Sequence, residues 1–211
     1  MKILILSATG MEIAPARDAN PPVTWLEGGV GVPSTIFRLT SHLQHQPCDL
    51  VIQAGIAGVF GNRFSLGETV LVENDCFADL GIAEKGKLSG IFDMGFADAN
   101  EFPFLDSRLP NDHPILQKQP LPLVKAVTVN LVSDDPARSR LLQERYPADI
   151  ESMEGAALHY VCRQLKVPFL QLRSISNVVG ERDKSKWLMK EAIGNLNREL
   201  LQFIHRFIPT T

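Results

Sequence analysis

Four short apolar runs constrain this chain more than anything else in it. They are KILILS at 2–7, CDLVIQAGIAGVFG at 48–61, VKAVTVNLVS at 124–133 and VPFLQLRSISN at 167–177. A strand with one wet face alternates apolar and polar residues; these runs hardly alternate. They read as strands buried on both faces, the kind found in parallel sheets. Segments with helical spacing lie between them. Ile36, Leu39 and Leu43 mark one from about Pro33 to His45, PARSRLLQERY marks another, and Ala156, Ala157, Tyr160, Val161 and Leu165 mark a third. Leu188, Ala192, Leu196, Leu200, Phe203 and Phe207 give the stripe of a terminal helix expected from Trp187. Strands alternating with helices predict an α/β fold. With 211 residues and no repeats or linkers, one domain spanning 1–211 is expected.

The segment 76–122 breaks this pattern. FADLG, KGKLSG, GFADANEFPFLDS, LPNDHP and QPLP are punctuated by Gly and Pro and carry no sustained period. It reads as a long excursion, anchored by Phe92, Phe96, Phe102 and Phe104, near a pocket or an oligomer interface. Before it, SLGETVLVEND (65–75) reads as a hairpin-like return strand.

The formal net charge of −3 suggests no nucleic-acid or membrane partner. No apolar run approaches the roughly 18 residues of a membrane span. The N-terminal apolar core is four residues long and Glu12 follows at once, so it reads as a first strand of a cytoplasmic protein rather than a leader. Cys48, Cys76 and Cys162 have no CxxC spacing, and the five histidines form no metal-type pair. No cofactor or metal is expected. The turn Gly29-Val30-Gly31 lacks the third glycine of a dinucleotide fingerprint, and no acid ends the following strand.

Polar residues at the strand ends stand out. Glu12 follows the first strand, where α/β ligands gather, although a carboxylate at a helix N-terminus has the same appearance. Gly55-Ile56-Ala57-Gly58 offers either a tight turn or close backbone approach to a ligand. Ser133-Asp134-Asp135-Pro136 reads as a helix cap. Glu151 and Glu154 flank Met153 at a helix start, and the last core strand ends on Ser176-Asn177. Helix start and strand end meet if the helix packs on the strand.

Taken together, GME after the first strand, GIAG, GETV, SDD, ESMEGAA and RSISN resemble the purine nucleoside phosphorylase and nucleosidase superfamily. The likeness spans nearly the whole chain except 76–122, and it is greatest to the hydrolytic branch, which includes methylthioadenosine/S-adenosylhomocysteine nucleosidases and futalosine hydrolases. It implies a three-layer α/β sandwich around a twisted, mostly parallel mixed sheet, usually in a homo-oligomer. It also implies cleavage of a purine N-glycosidic bond. By that resemblance Glu154 holds the ribose hydroxyls, Met153 packs on the sugar and Glu12 activates water. Ile56, Ala57 and Gly58 line the pocket, and Ser176 and Asn177 face the purine. SISN followed by GERDKSKW most resembles futalosine hydrolases, whose hypoxanthine nucleoside carries a carboxylate-bearing arm. Arg182 is the first candidate to meet that carboxylate, with Lys184 or Lys186 behind it; a solvated charged loop is the alternative.

The residue chemistry agrees. A carboxylate can stabilise an oxocarbenium-like state or deprotonate water. The nucleosidase pattern has Asp where this chain has Asn177. An amide offers one NH2 donor and one acceptor oxygen, which fits O6 and N7–H of a 6-oxopurine and mispairs with a 6-amino group. Asn177 has no proton to give, so the source of the proton at N7 is open. Arg173 would share a face with Asn177 in an ideal strand and could meet phosphate or an acid. Acidic and apolar residues around Glu12 favour hydrolysis over phosphorolysis. Competing readings are a methylthioadenosine-type nucleosidase, a phosphorylase, and a non-catalytic purine-nucleoside-binding module.

Overall fold

The structure, a computed structural model, describes residues 1–132 and 134–208. The strands are β1 (Ile3–Ser7), β2 (Thr24–Glu27), β3 (Leu50–Val59), β4 (Thr69–Asp75), β5 (Gly81–Glu84), β6 (Lys87–Gly90), β7 (Leu109–Pro110), β8 (Leu123–Thr128), β9 (Ile150–Ser152) and β10 (Phe169–Val178). The helices are α1 (Gly10–Asp18), α2 (Val32–His45), α3 (Pro114–Gln117), α4 (Pro136–Arg145), α5 (Gly155–Leu165) and α6 (Met189–Phe207).

Strand β1 shows why its sequence is apolar throughout. Ile3 and Ile5 pack against α1 and α6 through Ile13, Leu196, Leu200 and Phe203. Leu4 and Leu6 face the other way, against Leu39 of α2 and Leu158 and Val161 of α5. Alternate side chains of one strand thus serve two helical layers. The resulting architecture is α/β with a mixed sheet, as expected.

The sheet is mostly parallel: β1 pairs β2 and β3, β10 pairs β3, β4 pairs β8, and β8 pairs β9, all in parallel. The antiparallel contacts are β3–β9, β10–β4 and β4–β7. Five strands close on themselves in the cycle β3–β10–β4–β8–β9–β3. Ala57, Val59, Val70, Val72, Val124, Ala126, Ile150 and Ile175 fill that ring.

Strand β3 changes partner along its length. Leu50 to Gln53 pair with β1, whereas Gly58 and Val59 pair with β9. β1 has ended by then and β9 arrives from the opposite direction, so a gap opens beside Gly55–Ala57. Such divergence is where open α/β sheets bind ligands.

Several expectations need correction. The 65–75 strand does not fold back on β3; β4 pairs with β10, β8 and β7 instead. The excursion is built rather than loose: it holds the β5/β6 hairpin, β7 and α3. Phe92 and Phe104 meet edge-to-face at 5.0 Å, and Phe104 lies 6.0 Å from Tyr160 of α5. Phe96 and Phe102 are exposed rather than buried anchors, although Arg163 of α5 lies 5.6 Å over the Phe102 ring. α6 begins at Met189, two residues after Trp187. Asp135 caps α4 through Ala137 N–H, as read, while Ser133 of that cap lies outside the described residues.

Candidate active site

Glu12 is the third residue of α1. Its Oε2 accepts from Thr9 N–H at 3.0 Å, the capping-box pattern, which satisfies one of the orphan donors of the helix. Its Oε1 accepts from Ile56 N–H at 3.2 Å. The helix-cap reading and the site reading of Glu12 are therefore one geometry. Its backbone is fixed as well. Asn197 of α6, 3% exposed, donates to Glu12 O at 2.8 Å and accepts from Ala16 N–H at 2.9 Å. Those two groups would bond each other in an unbroken helix. Pro15 stands inside this turn, and the Asn197 amide ties α1 to α6 there.

Glu154 is the N-cap of α5 and 6% exposed. Its Oε1 accepts from Gly31 N–H at 3.0 Å, and its Oε2 lies 3.7 Å from Arg173 Nη1. Gly31 has φ +85°, where a Cβ would strain, so the glycine aims this N–H. Burial pushes the Glu154 carboxyl above its ordinary range; Arg173 and then Gly31 oppose the shift, and Glu12 adds to it. The start of α5 is buttressed from below. Ala156 N–H donates to Thr128 Oγ1 at 2.8 Å, and Thr128 donates to Asp75 Oδ1 at 3.0 Å. Gly155 leaves no room for a Cβ, which would meet Gln171 Nε2 and Asp75 Oδ2.

Arg173 is 2% exposed. It reaches Gln53 Oε1 at 2.9 Å and pairs with Glu154, so of the two partners left open by the sequence it has the acid. It passes Gly55, whose hypothetical Cβ would collide with Nη1 and lie 3.0 Å from Glu12 Oε1. The glycine lets the guanidinium and both carboxylates converge.

Asn177 follows a β-bulge. Ile175 pairs with Ala57 and Asn177 with Gly58, leaving Ser176 as the extra residue. Arg173 pairs with Gly55, and Gly55 and Gly58 point to opposite faces, so Arg173 and Asn177 do not share a face as an ideal strand predicts. Ser176 Oγ donates to Asn177 Oδ1 at 2.8 Å, and Asn177 Nδ2 donates to Val178 O at 2.9 Å.

A cavity of about 410 Å³ collects these groups. Glu12, Ile56, Ala57 and Gly58 line it from the β1–β3 side, Met153 and Glu154 from the start of α5, and Ser176, Asn177 and Arg182 from the end of β10 and the loop beyond. All nine residues singled out in the sequence thus face one space. Arg182 lies 5.5 Å over the Trp187 ring, and Lys184 also lines the wall. Lys186 is held by Glu181 at 2.6 Å and does not. Trp187, the expected start of the terminal helix, is instead part of the cavity wall, its Nε1 donating to Glu181 O at 2.9 Å. Among the described residues, no residue of 76–122 lines the cavity, and no cluster of metal-type ligands occurs.

Sequence reasoning gave no role to Glu151, which also lines the cavity. β9 has three residues, too few for a periodic signal, so its register was invisible.

Residues 8–209 match the family model described as the phosphorylase superfamily. The chain belongs to that superfamily. Within it, the chain is 32% identical to futalosine hydrolase of Thermus thermophilus, over 95% of this chain and 94% of that one. It is also 32% identical to futalosine hydrolase of Streptomyces coelicolor, over 73% and 64% of the two chains. The fold matches the crystal structure of 5′-methylthioadenosine/S-adenosylhomocysteine nucleosidase from Neisseria meningitidis in complex with methylthio-immucillin-A, with TM-score 0.79 and 17% identity over 97% and 99% of the chains.

Proposed function

We propose that this superfamily member hydrolyses the N-glycosidic bond of futalosine, releasing hypoxanthine and dehypoxanthine futalosine in menaquinone biosynthesis. The observation that carries the reading is Asn177 beside Gly58 at the cavity wall, in a chain 32% identical to a futalosine hydrolase over nearly its full length. An amide there pairs with O6 and N7–H of hypoxanthine and mispairs with a 6-amino group. Glu154, on the α5 N-terminus, holds the ribose hydroxyls, and Met153 beside it packs on the sugar. Ile56, Ala57 and Gly58 offer backbone, and Ser176 orients the Asn177 amide. Glu12 takes the proton of the attacking water. The mouth toward Arg182 and Lys184 receives the carboxylate-bearing arm.

Water rather than phosphate is the nucleophile. Of the cavity-lining residues, Arg182 and Lys184 are the cations, and both lie on the loop after β10. Arg173, near Glu12, is committed to Glu154 and Gln53. A phosphate placed beside Glu12 would meet a carboxylate without convergent donors. Met11 and Val30 line the cavity while 74% and 57% exposed, which fits a cytoplasmic homo-oligomer whose second copy covers the mouth; sedimentation of a monomer at assay concentration would remove that element.

The deciding assay offers futalosine, aminofutalosine, inosine and methylthioadenosine, with and without phosphate, and separates products by chromatography. Hypoxanthine from futalosine without phosphate is expected. A strict phosphate requirement identifies a phosphorylase instead, and tight binding without base release identifies a non-catalytic binder.

A further inference from the structure

Gly58 stands between two polar residues on one face of the sheet. Asn177 of β10 pairs with it on one side, and Glu151 of β9 pairs with it on the other. Directly paired residues project their side chains from the same face. Gly58 projects none, and a Cβ there would lie 3.0 Å from Val179 Cγ2 and 3.3 Å from Asn177 Nδ2. Two strand spacings of about 4.8 Å put Glu151 and Asn177 roughly 10 Å apart at their backbones. Both line the same cavity, so a base bound in it can meet both side chains.

Glu151 is unlike the other three cavity glutamates, of which Glu181 accepts from Asp183 N–H and from Lys186. Glu12 accepts from Thr9 and Ile56, and Glu154 from Gly31 with Arg173 beside it. Among the described residues, no hydrogen bond holds the Glu151 carboxyl. The charged groups that bear on it are Arg138 of α4, Asp79 of the excursion, and Arg182. Burial is the largest influence and pushes this carboxyl up to about 7, with Asp79 adding and the two arginines opposing. Near neutral pH it therefore carries a proton for a large part of the time, while facing the cavity.

We propose that Glu151 is the acid that protonates the leaving purine. The inference rests on the hydrolase reading above and fills its gap, since the Asn177 amide has no proton to give. The C1′–N9 bond breaks and its electron pair goes to the base. The Glu151 carboxyl proton passes to N7, and the Asn177 oxygen accepts from the N7–H so formed. The oxygen of water bonds C1′, and the water proton goes to Glu12. Glu12 then returns a proton to solvent and Glu151 regains one, so the net reaction is nucleoside plus water to free base plus sugar.

The test uses the full chain, Glu151→Gln and Glu151→Asp, with two substrates. Futalosine needs its base protonated; p-nitrophenyl β-D-ribofuranoside loses a phenolate that does not. For Glu151→Gln, futalosine kcat should fall about 10²-fold or more, with nitrophenyl riboside turnover held within about threefold. The fall in futalosine kcat as pH rises through about 7 should vanish in Glu151→Gln and persist in Glu151→Asp. Equal losses on both substrates, unchanged futalosine kcat, or an alkaline fall that survives in Glu151→Gln overturns the assignment. Failure of the parent reading looks different: the wild-type chain itself would free no hypoxanthine from futalosine.

Discussion

Arg173 Nη1 lies 3.7 Å from Glu154 Oε2, and neither side chain is more than 7% exposed. This ion pair sits under the cavity where β10 and α5 meet. A buried pair contributes little net stability compared with apolar packing, but losing one partner is costly. Arg173→Met strands Glu154 and should cost about 3–5 kcal/mol of folding stability. The loss should shrink toward pH 5, where the orphaned carboxyl takes up a proton. Thermal melts at pH 5 and pH 8 measure both; a pH-independent loss would show that the pair is not ionic.

Glu12→Gln keeps an acceptor oxygen for one backbone N–H and removes the base. Turnover of futalosine should fall by roughly 10²–10⁴ while substrate affinity changes little. Steady-state kcat against a direct binding measurement separates the two. Near-normal kcat would end the water-activation role.

Asn177→Asp should move preference toward 6-aminopurine nucleosides. One buried mispairing costs about 1–3 kcal/mol, so the kcat/KM ratio of aminofutalosine to futalosine should rise by roughly 5- to 150-fold. An unchanged ratio would reject the base-reading argument.

Asp75 is fully buried, and burial pushes its carboxyl from 3.8 to about 6, against the opposing hydrogen bonds from Thr128 and Cys76. The folded protein therefore holds this proton more tightly than the unfolded chain. Its contribution is complete below pH 3.8 and is lost as pH rises through about 6. The amount at stake is on the order of 3 kcal/mol. Asp75→Asn should flatten urea-unfolding stability between pH 4 and pH 7 by about that much; an unaltered pH profile would assign the slope to other groups.

The apolar runs carried the fold into the sequence because each strand is buried on both faces, as Leu4 and Ile5 show. The strand-end residues were legible for a related reason. Glu12, Glu154 and Asn177 are polar residues bordering apolar runs, and polar groups at such places need an explanation. What stayed hidden depends on register. A pairing between Glu151 and Gly58 leaves no periodic trace in a three-residue strand. The bulge at Ser176 likewise leaves none, and assuming regular alternation put Arg173 and Asn177 on one face. The order within 76–122 was unreadable because its anchors, Phe92 and Phe104, pack across a Pro- and Gly-broken stretch and onto Tyr160, far away in the chain.

The bulge in β10 makes backbone register, rather than composition, a determinant of what the cavity presents. In a regular strand of the same sequence Ser176 itself would pair with Gly58. Asn177 would then stand opposite Val59, and its amide would point among the valines inside the closed ring of strands. A buried amide without partners is unfavourable there, and the cavity wall would show Ser176 instead. Relatives whose strand lacks this bulge therefore cannot be compared position by position. Matching letters in such an alignment can sit on opposite sides of the sheet.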